Sequence, residues 1–291
     1  MNDVVVTGSR GFIGKRLIEI LMNRGIEFRK IEDLDLFVDD EWLRNNDFLD
    51  GPYHVYHLAA MTGVTQSWEN TQDVFDSNVK GTQRILEFCR ITRSSLVFLS
   101  SASYAPIKYG DALTEEHILQ ANNPYALSKI LGEKLCKFYS EHFNFPITIL
   151  RLFNVYGPGQ STRFLIPHLI SEIEKHGKIV VENLETKRDY VYIDDVVDAI
   201  IKSSEDTNGH VIFNVGSGVT HSVSEVIETM WGILGEKCEV VNRSEQRKNQ
   251  ISYSCANIEK IRTHLSWEPQ VSLVDGLGRI ISFSGSKGST E

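Results

Sequence analysis

Short runs of apolar, β-branched residues alternate along the chain with longer segments in which apolar residues recur every three or four positions. The first run covers residues 4–6, and the segment after it has apolar residues at Ile13, Leu17, Ile20 and Leu21. A continuous apolar run is typical of a strand buried on both faces, and the wider spacing is typical of a helix with one apolar face. The chain therefore begins with a predicted strand and a predicted helix at 12–22.

The same alternation continues through the first half of the chain. It predicts strands at 26–31, 55–59, 96–99 and 147–152, and helices at 74–91 and 125–143. Because a helix between two strands covers one face of their sheet, such strands pair in parallel through right-handed crossovers. We therefore predict an α/β fold with a doubly wound parallel sheet of the Rossmann type.

The pattern changes after Asn154. A helix is predicted at 164–176 and a strand at 179–181, whereas 194–201 and 211–215 resemble one more helix and strand of the main sheet. The region 217–286 is rich in predicted helix. We predict a core domain of residues 1–155 plus 189–216, a smaller discontinuous substrate-binding cap of 156–188 plus 217–286, and a disordered tail at 287–291.

Composition excludes several classes of protein. The chain has 291 residues, 41% apolar and 24% charged, which is typical of a globular protein with a core domain and a smaller partner. It has no apolar run long enough for a membrane helix and no export signal. A net charge of −9 without a basic run argues against nucleic-acid binding. The cysteines are scattered, so we expect reduced thiols and no metal in a cytoplasmic protein.

A glycine-rich turn separates the first predicted strand from the first predicted helix. Gly8, Gly11 and Gly14 follow the spacing that lets a backbone approach a pyrophosphate at a helix N-terminus. Glu32 ends the next predicted strand, where a carboxylate can accept hydrogen bonds from ribose hydroxyls and repel a 2′-phosphate. This pattern predicts NAD in preference to NADP, although the nearby Arg10 leaves NADP open.

Tyr125 and Lys129 are four residues apart at the start of a predicted helix, and therefore share one face. The ammonium can lower the pKa of the phenol, which can then act as a general acid or base. A second tyrosine and lysine at this spacing, in 104–108, are separated by Pro106, which interrupts a helix. Ser100 and Ser101 end the predicted strand before them, where a hydroxyl can bind a reacting oxygen or simply form a turn.

These features occur in the order found in the extended short-chain dehydrogenase/reductases, and the chain resembles their NAD-dependent epimerase/dehydratase family, which acts on nucleotide sugars. The resemblance runs from residue 4 to about residue 281. It rests on TGSRGFIG at 7–14, HLAA at 57–60, SNVKGT at 77–82, NPYALSK at 123–129, RLFNVYGPGQ at 151–160, RDYVYIDDV at 188–196, FNVGSG at 213–218 and SWEP at 266–269.

The resemblance also implies which residues bind ligands. It implies NAD contacts from Gly8, Gly11, Phe12, Ile13, Gly14, Glu32, Asp35, Leu58, Ala59, Ala60, Asn78, Tyr125, Lys129 and Phe153. It implies nucleotide-sugar contacts from Ser101, Asn154, Arg188, Arg247 and Gln250. The two arginines match groups that bind the diphosphate, but they could also be solvated surface charges. Gln250 stands where the family commonly has Asp.

Departures from the family pattern reduce the number of reactions that the resemblance implies. Family 4,6-dehydratases carry an Asp-Glu pair directly after the catalytic hydroxyl residue, and this chain has Ala102 and Ser103 there. Epimerising reductases carry a Cys at the position of Ala102. The resemblance therefore implies an NAD-dependent nucleotide-sugar epimerase, acting at C4 of a UDP-hexose or UDP-N-acetylhexosamine. Ser101, Tyr125 and Lys129 are its implied catalytic residues.

Two other functions remain open. An NAD(P)H-dependent nucleotide 4-keto-6-deoxysugar reductase would use the same residues, and the shortened stretch 33–52 favours it. A non-catalytic, nucleotide-sensing module is the third possibility, although such members typically lack the tyrosine or the lysine. Family members usually dimerise through helices that match 74–91 and 125–143, so we expect a homodimer.

Overall fold

The computed structural model describes residues 3–32, 48, 51–204, 209–243 and 251–287, with the backbone alone for 284–287. Its strands are β1 (Val4–Thr7), β2 (Phe28–Ile31), β3 (His54–His57), β4 (Ser95–Ser101), β5 (Ile147–Leu152), β6 (Asn154–Tyr156), β7 (Lys178–Val181), β8 (Lys187–Tyr192), β9 (His210–Val215), β10 (Thr220–Ser222), β11 (Glu239–Asn242) and β12 (Tyr253–Ser254). Its α-helices are α1 (Phe12–Asn23), α2 (Val64–Glu69), α3 (Thr71–Phe75), α4 (Gly81–Thr92), α5 (Pro124–Phe143), α6 (Leu165–His176), α7 (Ile193–Ser203), α8 (Val223–Leu234), α9 (Glu259–Leu265) and α10 (Leu273–Lys287).

Six strands form one parallel sheet in the order β2-β1-β3-β4-β5-β9. The predicted doubly wound sheet is confirmed, and β9 rejoins it beside β5 as the pattern at 211–215 indicates. The strand order reverses between β1 and β3. In open α/β sheets, ligands bind at the carboxyl edge beside such a reversal.

The interior strand β1 is buried by helices on both faces. Val4 and Val6 pack in the layer that contains α1 and α7, and Val5 packs in the layer that contains α4 and α5. All three valines are at most 4% exposed. Burying each side chain contributes about 1.5–3 kcal/mol relative to leaving it in water. Burial on both faces explains why the run is apolar without alternation.

The helix predicted at 74–91 is interrupted. α3 ends at Phe75, a π-helical turn occupies Asp76–Lys80, and α4 begins at Gly81. The turn packs against α5 and buries Asn78. Apolar spacing indicates that a segment is helical but cannot reveal one widened turn, which in proteins is frequent at functional sites.

Two small sheets lie outside the main one. β8 pairs antiparallel with β10 and parallel with β6 and β12, while β7 pairs parallel with β11. The helix-rich region 217–286 thus also contains β10, β11 and β12, which are too short for periodicity to predict. We propose that the sheet of β7 and β11 belongs to the cap (156–188 plus 217–286) and the main sheet to the core (1–155 plus 189–216). The other small sheet joins the two, because β6 and β8 cross these bounds. Residues 288–291 of the predicted tail lie outside the described residues.

Three further features of the structure concern membrane helices, metal sites and cysteines. In the part of the chain that the structure describes, no helix has the length and hydropathy needed to cross a membrane. The same residues hold no group of His, Cys, Asp or Glu side chains arranged to bind a metal ion. The four cysteines are free thiols, of which Cys89, Cys136 and Cys255 are buried.

Candidate active site

The turn between β1 and α1 has no space for a side chain at two of its glycines. Gly8 has a left-handed φ of 69°, and a Cβ there would lie 2.6 Å from the backbone nitrogen of Ala59. A Cβ on Gly14 would lie 2.1 Å from the carbonyl oxygen of Gly8. Helix α1 then starts at Phe12 without a side-chain cap on its first N–H groups. Such N–H groups at a helix N-terminus suit a phosphate.

Glu32 follows β2 and lies beside this turn. Its carboxylate accepts a hydrogen bond from the Ser9 hydroxyl and lies 3.3 Å from Nε of the exposed Arg10. The carboxylate is positioned to accept further hydrogen bonds, since each of its oxygens has two lone pairs. It lines a cavity of about 530 Å³ together with Ser9, Arg10, Lys15, Ile18 and Lys30. Asp35 lies outside the described residues.

A chain of hydrogen bonds beneath the turn runs through His57, which is 1% exposed. The Ala59 N–H donates to Thr7 Oγ1, which is 2.8 Å from Nδ1 of His57. Nε2 of His57 is 3.1 Å from Thr82 Oγ1, whose hydroxyl donates to the Asn78 carbonyl. Because Thr82 donates to Asn78, Nε2 of His57 must carry a proton. Burial keeps the imidazole neutral, because it lowers the pKa of His57 to about 3, so Nδ1 accepts the hydroxyl of Thr7.

His57 was not predicted as a site residue, although a histidine within an apolar strand run is a visible signal. Its neighbour in the network, Asn78, was predicted as a cofactor contact. Asn78 accepts from the Met61 N–H at 2.8 Å, and it donates to the Met61 carbonyl and to Ser128 Oγ. Ser128 in turn donates to the carbonyl of Tyr125. Asn78 therefore fixes the segment after β3, which includes the predicted residues 58–60, against the start of α5.

Tyr125 and Lys129 lie one turn apart at the start of α5, as predicted. Asn123 caps this helix by accepting a hydrogen bond from the Ala126 N–H at 2.8 Å. Pro124 occupies the first helical position, where its missing N–H costs no hydrogen bond. The local sequence thus determines where the helix starts, and hence where both side chains emerge.

Lys129 is buried, with 5% of the residue exposed. It donates to the carbonyl of Leu99 at 2.8 Å and lies 5.0 Å from the centre of the Phe98 ring. Burial lowers the pKa of Lys129 to about 8. Burial also raises the pKa of Tyr125, and a hydrogen bond with Ser101 opposes that rise.

The two serines at the end of β4 have different partners. Ser100 donates to Oε1 of the buried Glu133 at 2.6 Å. Ser101 interacts with the phenol of Tyr125 and lowers its pKa. Successive side chains of a strand point to opposite faces, so one serine at most can face the phenol. The structure brings Ser101, Tyr125 and Lys129 together, and residues 104–108, the other tyrosine and lysine at this spacing, form no helix.

Asn154 and Arg188 lie on the paired strands β6 and β8. Nδ2 of Asn154 donates to the carbonyl of Asp189 at 3.0 Å. The half-buried guanidinium of Arg188 donates to the carbonyls of Lys187 and Ile251. Burial lowers the pKa of Arg188, and the two carbonyls that it binds carry no charge to oppose this effect. A guanidinium in this state retains the capacity to bind an anion.

The remaining predicted ligand residues divide into two groups. Phe12 and Ile13 are half-buried in the first turn of α1, and Phe153 is buried directly after β5. Arg247 and Gln250 lie outside the described residues, so their predicted contacts stay predictions.

Residues 4–216 match the model of the NAD dependent epimerase/dehydratase family. The chain belongs to this family. The uncharacterized UDP-glucose epimerase YtcB of Bacillus subtilis (strain 168) is 30% identical, over 97% of this chain and 98% of its own. The dTDP-4-dehydro-6-deoxyglucose reductase of Escherichia coli is 27% identical over 96% of both chains. The solved UDP-glucuronic acid 4-epimerase from Bacillus cereus, in complex with UDP-glucuronic acid and NAD, superposes with a TM-score of 0.85 at 26% identity, covering 98% of this chain and 99% of that one.

Membership in the epimerase/dehydratase family confirms the resemblance and the NAD cofactor predicted from the motifs. The glycine turn fits a dinucleotide-binding loop, because its tight turn and its close packing on the backbone of Ala59 need glycine at positions 8 and 14. The uncapped start of α1 and the carboxylate of Glu32 add donors for a pyrophosphate and acceptors for a ribose. We propose that the residues around this turn, with Lys129, would hold NAD.

The ammonium of Lys129 is expected to lose its proton near pH 8. The unfolded chain, with an ordinary lysine pKa of about 10.4, then binds more protons than the folded protein between these two values. The free energy of unfolding should therefore gain a contribution as pH rises through this window. NMR titration of labelled lysine side chains measures the pKa, and Lys129→Met assigns the signal by its loss.

The same variant isolates the stability effect. Burial of the charged Lys129 should make the free energy of unfolding of the wild type lower than that of Lys129→Met. This difference should shrink as pH rises from about 8 to about 10.4. A lysine signal that titrates only above pH 10, with a pH-independent stability difference, would show that Lys129 is not desolvated.

Proposed function

We propose that the protein is an NAD-dependent epimerase that inverts C4 of a nucleotide sugar, with a UDP-hexose or UDP-N-acetylhexosamine as substrate. The observation that carries this proposal is the placement of Ser101 against the Tyr125 phenol, with Lys129 one turn farther along α5. This group lies at the same sheet edge as the glycine turn, so a dinucleotide bound there would meet a sugar held by the cap.

The residues after Ser101 favour epimerisation over dehydration. Ala102 and Ser103 occupy the start of the following loop, and neither side chain is an acid or base near neutral pH. Removing water from a sugar needs a proton donor and a proton acceptor beyond the tyrosine. Removing and returning hydrogen at one carbon needs the tyrosine alone.

The reaction can be derived from the positions of these side chains. NAD, when bound, supplies the hydride acceptor and donor for C4 of the sugar. The phenolate of Tyr125 takes the proton of the C4 hydroxyl, and the Ser101 hydroxyl holds the same oxygen. The Lys129 cation favours the phenolate form. The C4–H bond breaks as the C4–O double bond forms, and after the 4-keto sugar turns over, Tyr125 returns the proton.

The diphosphate would bind on the cap side of this group. Asn154 and Arg188, on neighbouring strands, supply an amide and a guanidinium for it, and Arg247 is proposed as a second cation. Gln250 is proposed to contact the nucleotide ribose. Phosphate binds best to fixed, charged donors, and the Arg188 guanidinium is fixed by two backbone carbonyls.

One specific observation favours a second function, the reduction of 4-keto sugars. The Escherichia coli relative is named as such a reductase. A reductase would use the same serine, tyrosine and lysine but would exchange its cofactor after every turnover. A non-catalytic sensing role is disfavoured because both Tyr125 and Lys129 are in place.

The purified protein is expected to interconvert UDP-glucose with UDP-galactose, or the corresponding UDP-hexuronates or UDP-N-acetylhexosamines, without added reductant. Proton NMR of the sugar mixture measures this directly. Tyr125→Phe should retain sugar-nucleotide binding and lose turnover. If turnover strictly required a stoichiometric amount of reduced cofactor, the protein would be a reductase and the epimerase proposal would be wrong. If Tyr125→Phe still turned over the substrate, Tyr125 would not be the catalytic residue.

The two serines give a matched pair of variants. Ser101→Ala is expected to lower kcat by about 10²-fold, because it removes a hydroxyl that binds the reacting oxygen. Ser100→Ala should lower kcat less than Ser101→Ala, because Ser100 donates to Glu133 and acts on the reacting oxygen only by orienting the end of β4. Steady-state kinetics of the same interconversion measure both, and equal losses would contradict the assignment of Ser101.

We also propose a homodimer formed through α4 and α5. Helix α5 and its neighbour α2 expose apolar side chains on this side of the sheet: Leu127 is 39% exposed, Phe138 50% and Trp68 64%. Apolar side chains grouped on one surface are typical of an interface. A second copy of the chain would cover them.

Phe138→Glu is expected to shift the protein from dimer to monomer, since it places a charge in the proposed interface. Met22→Glu is the matched control, because Met22 is 65% exposed on α1, on the other face of the sheet. Light scattering at several protein concentrations measures the mass. A wild-type monomer, or a Phe138→Glu dimer, would contradict the proposed interface.

A further inference from the structure

A cluster of buried polar side chains lies beside the candidate catalytic residues and has no part in the reaction proposed above. At its centre, Arg151 binds Glu133 through two nitrogens, with Nη2 at 2.7 Å from Oε2 and Nε at 3.0 Å from Oε1. The side chains are 5% and 6% exposed. Glu133 follows Lys129 by one turn of α5, and Arg151 is near the end of β5. Separating the pair would leave two unpaired charges in the interior, which is energetically costly.

This pair determines the direction of the last residues of β4. Glu133 accepts the hydroxyl of Ser100, and the next side chain, Ser101, consequently faces Tyr125. A shift of the pair would therefore move the hydroxyl that binds the reacting oxygen. Glu133 also acts on the site by its charge, which raises the pKa of Lys129 against the effect of burial.

The other side of the pair holds the loop that begins after Ser101. Nη1 of Arg151 donates to the hydroxyl of Tyr104 at 2.9 Å and to the carbonyl of Glu115 at 2.8 Å. Because a guanidinium can only donate, Tyr104 gives its single proton to Oδ1 of Asn214, at 2.6 Å. Burial raises the pKa of Tyr104 to about 12, so the phenol keeps this proton.

Asn214 continues the connection to the proposed cap. Its Nδ2 donates to the carbonyl of Leu113 at 2.8 Å, and the same carbonyl accepts the N–H of Asn257 at 2.8 Å. The Leu113 N–H donates to the carbonyl of Cys255. Residues 102–122, the site loop, are thus hydrogen-bonded both to the main sheet and to the cap segment 255–257.

We propose that Tyr104 and Asn214 are positioning residues, which hold the site loop closed against the cap segment while the 4-keto sugar turns over. The proposal rests on the proposed function, in which this intermediate must stay bound between two hydride transfers. Their hydroxyl and amide connect the cap to the Arg151–Glu133 pair, and so to Ser101. Residues that merely stabilised the fold would not affect how often the intermediate escapes.

The variant Tyr104→Phe removes one hydroxyl and keeps the ring in its apolar surroundings. We expect kcat to fall by about tenfold to 10²-fold through misplacement of the reacting groups, with little change in KM. We also expect 4-keto sugar to appear in solution, with an equal amount of cofactor left reduced. Hydrogen exchange should become faster at 102–122 and 255–257. Asn214→Ala should show the same effects, because it removes the acceptor of the Tyr104 proton.

Tyr139→Phe is the matched control, since it removes a phenol hydroxyl that donates to Glu87, farther along the same helix α5. It should leave kcat, keto-sugar release and exchange at the site loop unchanged. If Tyr104→Phe and Asn214→Ala match this control in release and exchange, whatever their melting temperatures, the proposal is overturned.

Failure of the proposed function would be visible separately, in the wild-type protein. The wild type could reduce 4-keto sugar nucleotides and epimerise nothing. The rate of hydride transfer in a single turnover is then measured in place of kcat. A decrease of this rate in Tyr104→Phe and Asn214→Ala, but not in Tyr139→Phe, supports their positioning role. If the wild type does neither, unchanged exchange at 102–122 in both variants overturns that role, and faster exchange there supports it.

Discussion

The site depends on one buried charge, the ammonium of Lys129. A lone cation in the interior is costly, and here the carbonyl of Leu99, the face of the Phe98 ring and the carboxylate of Glu133 offset that cost. The first two belong to β4 and the third to α5 itself. Helix α5 must therefore pack closely on β4, and this packing places Tyr125 above Ser101. Because the pKa of Lys129 stays near 8, the residue remains a cation at neutral pH despite its burial.

Much of the fold and part of the site could be predicted from the sequence, for local reasons. The apolar run of β1, the glycine turn and the start of α5 each lie within a few consecutive residues, and the short-range rules of helices and turns apply to them directly. Tyr125 and Lys129 were predicted because helical spacing alone puts them on one face. The short strands β10, β11 and β12 were not, because two to four residues carry no detectable period.

What could not be predicted depends on contacts between distant residues. The pattern at the end of β4 offers two serines, and the choice between them is made by Glu133, 33 residues farther along. Arg151 is a charged residue in an otherwise apolar strand, so a partner of opposite charge can be expected for it. The neighbouring sequence does not indicate that this partner is Glu133. His57 similarly has its two hydroxyl partners 50 and 25 residues away. Such pairs follow from the sheet order, which has to be known first.

The chain has a net charge of −9, yet its proposed ligand is an anion. Binding of that anion depends on the charges near the site more than on the net charge of the chain. The negative charges that contribute to the total include exposed residues such as Glu19, Glu141 and Glu259, which water solvates. Arg188 is half-buried, and its bonds within the described residues are to neutral carbonyls. Its charge is therefore only partly compensated, which costs stability, and a diphosphate bound there would remove that cost. A protein can in this way be acidic in sum and still be a binder of anions at one edge of its sheet.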